Sequence, residues 1–288
     1  MNDFQIFTDS CCDLAPEQLK VWDVPCANMT FTFEGEDREY ICGDLSTKDF
    51  YDRMRQGAQP KTAAVNASTF ASAFEPALKA GRDVLYVAFS SGLSTTINSA
   101  HMAAQDLKES YPDRTVRIVD SLSASIGGGM MVALAVRKKQ EGASLEETAA
   151  YIEGLVQNQC VWFTVDDLEY LKRGGRISPT AAMVGGLLGI KPVLTIDTEG
   201  RLVKVTTVRG RKKSIEMLAD KFGELSNGQT HGPIYIAHAD CPEDAQILAD
   251  LLKTRYGVEP DLVGEIGPVI GSHAGPGTLG VLFLGESR

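Results

Sequence analysis

Three serines, two threonines and one glycine stand together in Ser90-Ser91-Gly92-Leu93-Ser94-Thr95-Thr96. Such a set of hydroxyls can hold a small anion. The run before it, Val84-Leu85-Tyr86-Val87-Ala88-Phe89, is apolar throughout, as in a strand buried on both faces. After it, Ile97, Ala100, Ala104 and Leu107 recur at helical spacing. The hydroxyls therefore fall between the C-terminal end of a strand and the start of a helix, where open parallel sheets bind ligands. Free N–H groups and the positive end of the helix dipole suit a carboxylate or phosphate there. A helix cap at Ser91 or Ser94 explains the same residues. The sequence alone leaves both readings open.

Two further clusters carry chemistry. Gly271-Ser272-His273-Ala274-Gly275-Pro276-Gly277 places a histidine in a glycine-rich segment, expected as a loop in which backbone can approach a ligand closely. The other histidines have plainer settings: His101 follows a helix register, His231 lies in a polar loop and His238 ends a strand. Lys172, Arg173 and Arg176 flank Gly174-Gly175. Cations there complement a helix C-terminus, or they bind phosphate through the guanidinium fork. Gly275-Pro276-Gly277-Thr278-Leu279-Gly280 spells G-x-G-x-x-G, but a strand-like run follows where a dinucleotide site needs a helix. That match is read as chance.

The elements that position these residues alternate. Strands are expected at Phe4–Thr8, Thr30–Phe33, Val84–Phe89 and Thr115–Val119. Helices are expected from Asp13 as cap, from Ser46 or Thr47, over about 68–80, after Ser94, over 123–139, and from the Ser144-Leu145-Glu146-Glu147 capping box to about Val156. Lys61 to Ala64 reads as a loop. Gly127-Gly128-Gly129 implies close packing near the start of its helix, by a neighbouring helix or a ligand. This alternation argues for a mostly parallel sheet covered on both faces. Beyond Gln157-Asn158-Gln159 the pattern changes. A strand at Val161–Val165, short helices after Asp166-Asp167 and Ser178-Pro179, and a hairpin of Pro192–Ile196 with Leu202–Val208 are followed by further helices and strands. The expected architecture is α/β in two domains, a mostly parallel-sheet domain over 1–158 and an α+β domain over 159–288, with a ligand between them.

Composition narrows the function. Hydrophobic content of 43% and charged content of 23% are those of a globular chain with a large core. A net charge of −10, with no basic run longer than Arg211-Lys212-Lys213, argues against nucleic acid as partner. No apolar run approaches the ~18 residues of a membrane span. The start lacks a secretory signal pattern. Cys11, Cys12, Cys26, Cys42, Cys160 and Cys241 are scattered without a CxxC pair, as expected for reduced thiols in a cytoplasmic protein with no metal site.

Read together, several stretches resemble the DegV family of fatty-acid-binding proteins, which includes the lipid-carrying subunit of bacterial fatty acid kinase. They are Thr8-Asp9-Ser10 with Asp13-Leu14, Ser90 to Ser94, Val119-Asp120-Ser121, Asp166 through Ile177, Leu188 to Pro192, and Gly271 to Gly277. They span the chain in order. The family's Thr-Ser-x-Pro-Ser loop appears here as Thr62-Ala63-Ala64-Val65-Asn66, so Thr62 alone is kept, and Thr95 replaces a usual glycine. The resemblance implies a fatty acid between the domains, its carboxylate held by Thr62, Ser94 and His273, with Ser91, Gly92 and Ser272 beside it and the tail buried. It also implies a protein that is not itself an enzyme, needs no cofactor, has no catalytic residue, and presents its acid to a separate ATP-dependent kinase for acyl phosphate formation. Transient contact with a membrane surface is expected. Lys172, Arg173 and Arg176 would meet the kinase or the phosphate. Ile126, Met130, Met183, Leu187, Leu188 and Ile190 are candidates for the tail lining and equally for plain core. The rival reading is a serine acyl hydrolase using Ser91 or Ser94 with His273, although the loop is not G-x-S-x-G and no third orienting group is evident.

Overall fold

The computed structural model describes residues 3–182, 189–228 and 232–288. In the first half the chain runs β1 (Phe4–Asp9), α1 (Pro16–Val21), β2 (Cys26–Ala27), β3 (Thr30–Phe33), α2 (Thr47–Arg55), β4 (Pro60–Ala63), α3 (Ala67–Lys79), β5 (Asp83–Ala88), α4 (Thr96–Ser110), β6 (Val116–Asp120), α5 (Ile126–Gln140) and α6 (Leu145–Leu155). Strands in the order β2-β1-β5-β6 form a wholly parallel sheet. Every residue of β1 and β5 is buried. The two faces of β5 enter different cores. Leu85 and Val87 pack with Met130, Met131 and Ile152 of α5 and α6, while Val84 and Tyr86 pack with Phe70, Phe74 and Ala100 of α3 and α4. Helices on both faces are why β5 reads as an unbroken apolar run from Val84.

Two expectations change here. Asp13 caps no helix: it follows a 3-10 turn at Ser10–Cys12 with φ 48°, and α1 begins at Pro16 behind Ala15. Lys61 to Ala63 is strand rather than loop. β4 pairs antiparallel with β3, setting Thr62 opposite Phe31. The partner lies about thirty residues upstream, so no local pattern in 60–63 announces the strand.

The second half runs β7 (Gln159–Thr164), α7 (Glu169–Arg173), α8 (Pro179–Ala182), β8 (Ile190–Ile196), β9 (Leu202–Arg209), α9 (Arg211–Leu225), β10 (Ile234–His238), α10 (Pro242–Tyr256), β11 (Leu262–Glu265), α11 (Pro268–Ala274) and β12 (Leu279–Leu284). Its sheet has the order β11-β10-β12-β7-β8-β9 and is mixed, with only β10 and β11 parallel. One face is sealed by α9 and α10 through Leu218, Phe222 and Leu248. The other face, with Val161, Phe163, Ala237 and Leu282, joins the same core as Ile126 and Met130 of α5. The two sheets thus share an interior through α5.

The segment of His273 is also a correction. It is the helix α11, not a loop, with Pro268 at its first turn and Gly275 (φ 81°) ending it. Its glycines disguise it. Gly271 is there because a Cβ would stand 2.4 Å from the Tyr51 hydroxyl. The glycines of α5 have similar causes: a Cβ on Gly129 would lie 2.6 Å from the Cys12 carbonyl, and one on Gly127 2.9 Å from the Leu282 side chain. A turn and a strand crowd this helix, rather than another helix or a ligand. No described helix is long and apolar enough to cross a membrane.

Candidate functional site

The loops at the strand ends are fastened first. Asp9, at the tip of β1, accepts the N–H groups of Cys11 (3.0 Å) and Phe89 (2.9 Å) and the Tyr86 hydroxyl (2.6 Å). It thereby locks the end of β5 to the end of β1. Burial raises its pKa, and these donors oppose the rise. In the next strand-end loop, Asp120 accepts the Leu122 N–H at 2.9 Å, and the Ser121 hydroxyl donates to the Ala88 carbonyl at 2.7 Å.

The hydroxyl-rich loop divides its labour. Ser90 donates to the Gly200 carbonyl in the β8–β9 turn at 2.7 Å, and a Cβ on Gly92 would stand 2.6 Å from the Glu199 carbonyl. Ser90 and Gly92 therefore clasp the hairpin of the other half. Ser91 is exposed, its N–H 3.3 Å from the Asp120 carboxylate. Ser94 accepts the Thr96 N–H at 3.2 Å and lies 2.9 Å from the Thr96 hydroxyl, a local cap at the start of α4.

Between the halves is a cavity of about 90 Å³, where one water needs roughly 10–15 Å³. Phe89, Leu93, Val161, Phe163, Ile266 and Leu282 contribute to its largely apolar wall. Its hydrogen-bonding side chains are Thr62, Ser125, Arg176, His273 and Thr278. Thr278 is satisfied internally, donating to the carbonyls of Ala274 and Gly275.

Thr62 on β4 and His273 on α11 meet at the wall, Oγ1 to Nε2 2.8 Å, across 211 residues of sequence. Burial, helped by the nearby Arg176 charge, lowers the His273 pKa to about 4, so the ring is neutral at ordinary pH. Its Nδ1 is buried with no partner among the described residues. A buried N–H left unmade costs the full desolvation of that donor. The proton is therefore assigned to Nε2, donated to Thr62 Oγ1, which leaves the Thr62 hydroxyl proton free for a ligand. The ring is held from behind: a Cβ on Gly174 would lie 2.2 Å from Nδ1.

Arg176 completes the wall. Its Nε donates to the Leu93 carbonyl at 3.2 Å and its Nη1 to the Gly174 carbonyl. No carboxylate pairs with it among the described residues, and burial lowers its pKa. A half-buried cation without a counter-charge favours an anionic ligand.

The remaining predicted residues lie elsewhere. Ser272 turns its hydroxyl back to the Pro268 carbonyl at 2.7 Å. Lys172 pairs with Glu169 at 3.0 Å, and exposed Arg173 stacks over the Tyr170 ring at 4.8 Å. Ile126 and Met130 are core, and Ile190 is not on the cavity wall. Met183, Leu187, Leu188 and His231 lie outside the described residues. The glycines after His273 admit protein, not ligand: a Cβ on Gly275 would meet the Tyr170 ring and one on Gly277 the Asp166 carboxylate. Sequence reasoning missed Met29, Ser125 and Gly174 at the site. No periodicity marks them, since each acts through partners distant in sequence. Nor do Ser91 and Ser94 join His273 in a hydrogen bond, and no acid orients its Nδ1, so a serine-hydrolase constellation is not assembled among the described residues.

Comparison with known proteins agrees with this architecture. Residues 3–286 match the family described as "Uncharacterised protein, DegV family". A DegV domain-containing protein of Clostridium perfringens is 42% identical over 289 aligned positions, covering 100% of this chain and 99% of the relative. A DegV family protein from Thermus thermophilus, described as binding fatty acid, has a TM-score of 0.89 at 34% identity, covering 99% of this chain and 100% of that one. A stearic acid-binding protein from Eubacterium ventriosum has a TM-score of 0.88 at 26% identity, covering 98% of both chains. A match over nearly the whole length, in sequence and in fold, places this protein in the DegV family.

Proposed function

We propose that this protein carries a long-chain fatty acid in the cavity between residues 1–158 and 159–288, taken as its two domains. The observation that carries the reading is the wall itself: apolar over most of its area, with a Thr62–His273 pair and an Arg176 that no carboxylate among the described residues neutralises. Such a wall suits a molecule with one anionic end and a long apolar body. A carboxylate leaving water needs donors for its lone pairs. Thr62 supplies one proton and Arg176 the charge. Ser94 follows Leu93 of the wall, but its hydroxyl faces that of Thr96 at 2.9 Å, and Thr96 donates to the Met29 sulfur, so a ligand would take the Ser94 proton from Thr96. The tail supplies most of the affinity, at ~0.8 kcal/mol per methylene, or about 12 kcal/mol for some fifteen before ordering costs.

In this reading the protein is a carrier without a reaction of its own. It presents the carboxylate to a separate ATP-dependent kinase and carries the acyl phosphate produced. Exposed Arg173, beside the α7 turn that backs His273, supports a role in meeting that partner or the transferred phosphate. Native mass spectrometry of the protein as purified tests the first part, with a co-bound fatty acid expected; protein that neither retains nor takes up fatty acids would refute it. Arg173→Ala tests the second: acyl phosphate formation should fall at least tenfold while fatty acid affinity stays put. Unchanged turnover with the kinase would remove Arg173 from the interface.

A further inference from the structure

One polar feature of the cavity is not used by the carboxylate site. Ser125, immediately before α5, is on the wall, and its hydroxyl donates to Asp13 Oδ2 at 2.6 Å. Asp13 also accepts the Gly267 N–H, and its Oδ1 is so close that a Cβ on Gly267 would stand 2.6 Å away. The residue is half-buried, but its carboxyl is surrounded by protein, and burial pushes its pKa up to about 7. The titratable groups around it are Asp9, Cys11, Cys42 and Tyr51, none of them a cation. Both residues hold a positive φ, 48° at Asp13 in the left-handed region and 54° at Ser125 with ψ −149°. Non-glycine residues at such angles concentrate at ligand clamps and similar sites.

The position of the pair follows from α11. Gly267, which touches Asp13, caps the start of that helix, and His273 lies in its last turn. Ile266 and His273 are both on the cavity wall. Six residues at 1.5 Å rise put Gly267 and His273 about 9 Å apart along the helix. An extended chain of single bonds advances roughly 1.2 Å per bond, so about eight bonds span the distance. Ser125 spends its only proton on Asp13. Toward the cavity it therefore presents lone pairs alone, beside the apolar side chains of Ala124, Ile266 and Leu282.

We propose that Ser125, oriented by Asp13, is a second polar subsite of the cavity that accepts a hydroxyl carried in mid-chain, about eight bonds from the carboxylate of a bound acyl chain. The proposal rests on the carrier reading above and names a ligand class for it: long-chain acids hydroxylated near the middle of the chain. A hydroxyl placed there finds an acceptor. Placed elsewhere along the tail it is buried unpaired, which costs roughly ten- to hundredfold in affinity.

The test measures dissociation constants for octadecanoic acid and its 8-, 10-, 12- and 14-hydroxy derivatives, with the delipidated full-length protein. Each is read as a ratio to octadecanoic acid, so a general loss of affinity in a variant cancels. The expected profile has a minimum at the 8- or 10-hydroxy acid, within about threefold of the unsubstituted acid, and a penalty of tenfold or more at the 14-position. Ser125→Gly, which tolerates the positive φ, should raise the penalty at the minimum to that of its neighbours. A profile flat with position, or one that Ser125→Gly leaves unaltered, would overturn the subsite while leaving the carrier reading intact. Failure of octadecanoic acid itself to bind the unmodified protein would overturn both.

Discussion

Replacing Thr62 by valine isolates the carboxylate contact from the rest of the cavity. Valine keeps the shape of threonine and suits the extended backbone of β4. What is lost is the Oγ1 that meets His273 Nε2 at 2.8 Å and, in the proposed complex, the proton given to the ligand. A hydrogen bond to a charged group contributes about 1.5–3 kcal/mol, so affinity for hexadecanoic acid should fall roughly ten- to 150-fold. Binding should not vanish, because the tail contribution of about 12 kcal/mol is untouched. Hexadecanol is the control that ties the loss to charge. It has the same tail and no carboxylate, so the variant should change its affinity much less, within a few-fold. Displacement of a fluorescent fatty acid reads both ligands on one scale. Equal loss for acid and alcohol would mean that Thr62 only shapes the wall. No loss for the acid would mean that the carboxylate lies elsewhere and that the pairing of Thr62 with His273 serves the protein alone.

Other perturbations probe the support behind that pair. Gly174 has an ordinary helical φ of −69°, so Gly174→Ala adds no backbone strain, but its Cβ would meet the His273 ring at 2.2 Å. We expect it to displace the ring and cut fatty acid affinity at least tenfold; wild-type affinity would show that the ring position is unimportant. Two buried groups give stability opposite slopes with pH. His273 is depressed to about 4 from 6.5, so the unfolded chain binds more protons between those values, and about 3 kcal/mol is lost as pH falls through them. Asp13 is raised to about 7 from 3.8, so the folded state binds more protons, and about 4 kcal/mol is lost as pH rises from 4 to 7. Asp13→Asn should therefore raise stability at pH 6.5 relative to pH 4 compared with wild type, the raised Asp9 being common to both, measured by urea unfolding of delipidated protein. The same pH profile in variant and wild type would contradict the assignment to Asp13.

The alternation of apolar strands with helices was legible in the chain because the central strand β5 of the parallel sheet is buried on both faces, and such burial leaves its mark on consecutive residues. The β5 strand and the Ser144 capping box are legible on local grounds, and the structure contains both, the strand over Asp83–Ala88 and the box closed by Glu147. The family likeness was legible for a related reason: many short stretches kept their order along the chain. By contrast, the strand of Thr62 draws its hydrogen bonds from β3, far upstream, and α11 hides behind glycines whose purpose is to admit Tyr51, Tyr170 and Asp166 from other elements. The hydroxyl-rich loop looked like one anion site. Tertiary packing divided it, with Ser90 and Gly92 gripping a hairpin about a hundred residues away and Ser94 turned to Thr96 at the start of α4. Local sequence determines what hydrogen bonds a segment can make with itself. Which distant partner takes the remainder is decided only when the two halves meet, and here that meeting brings Thr62 against His273 and leaves a half-buried arginine at the wall of an apolar cavity.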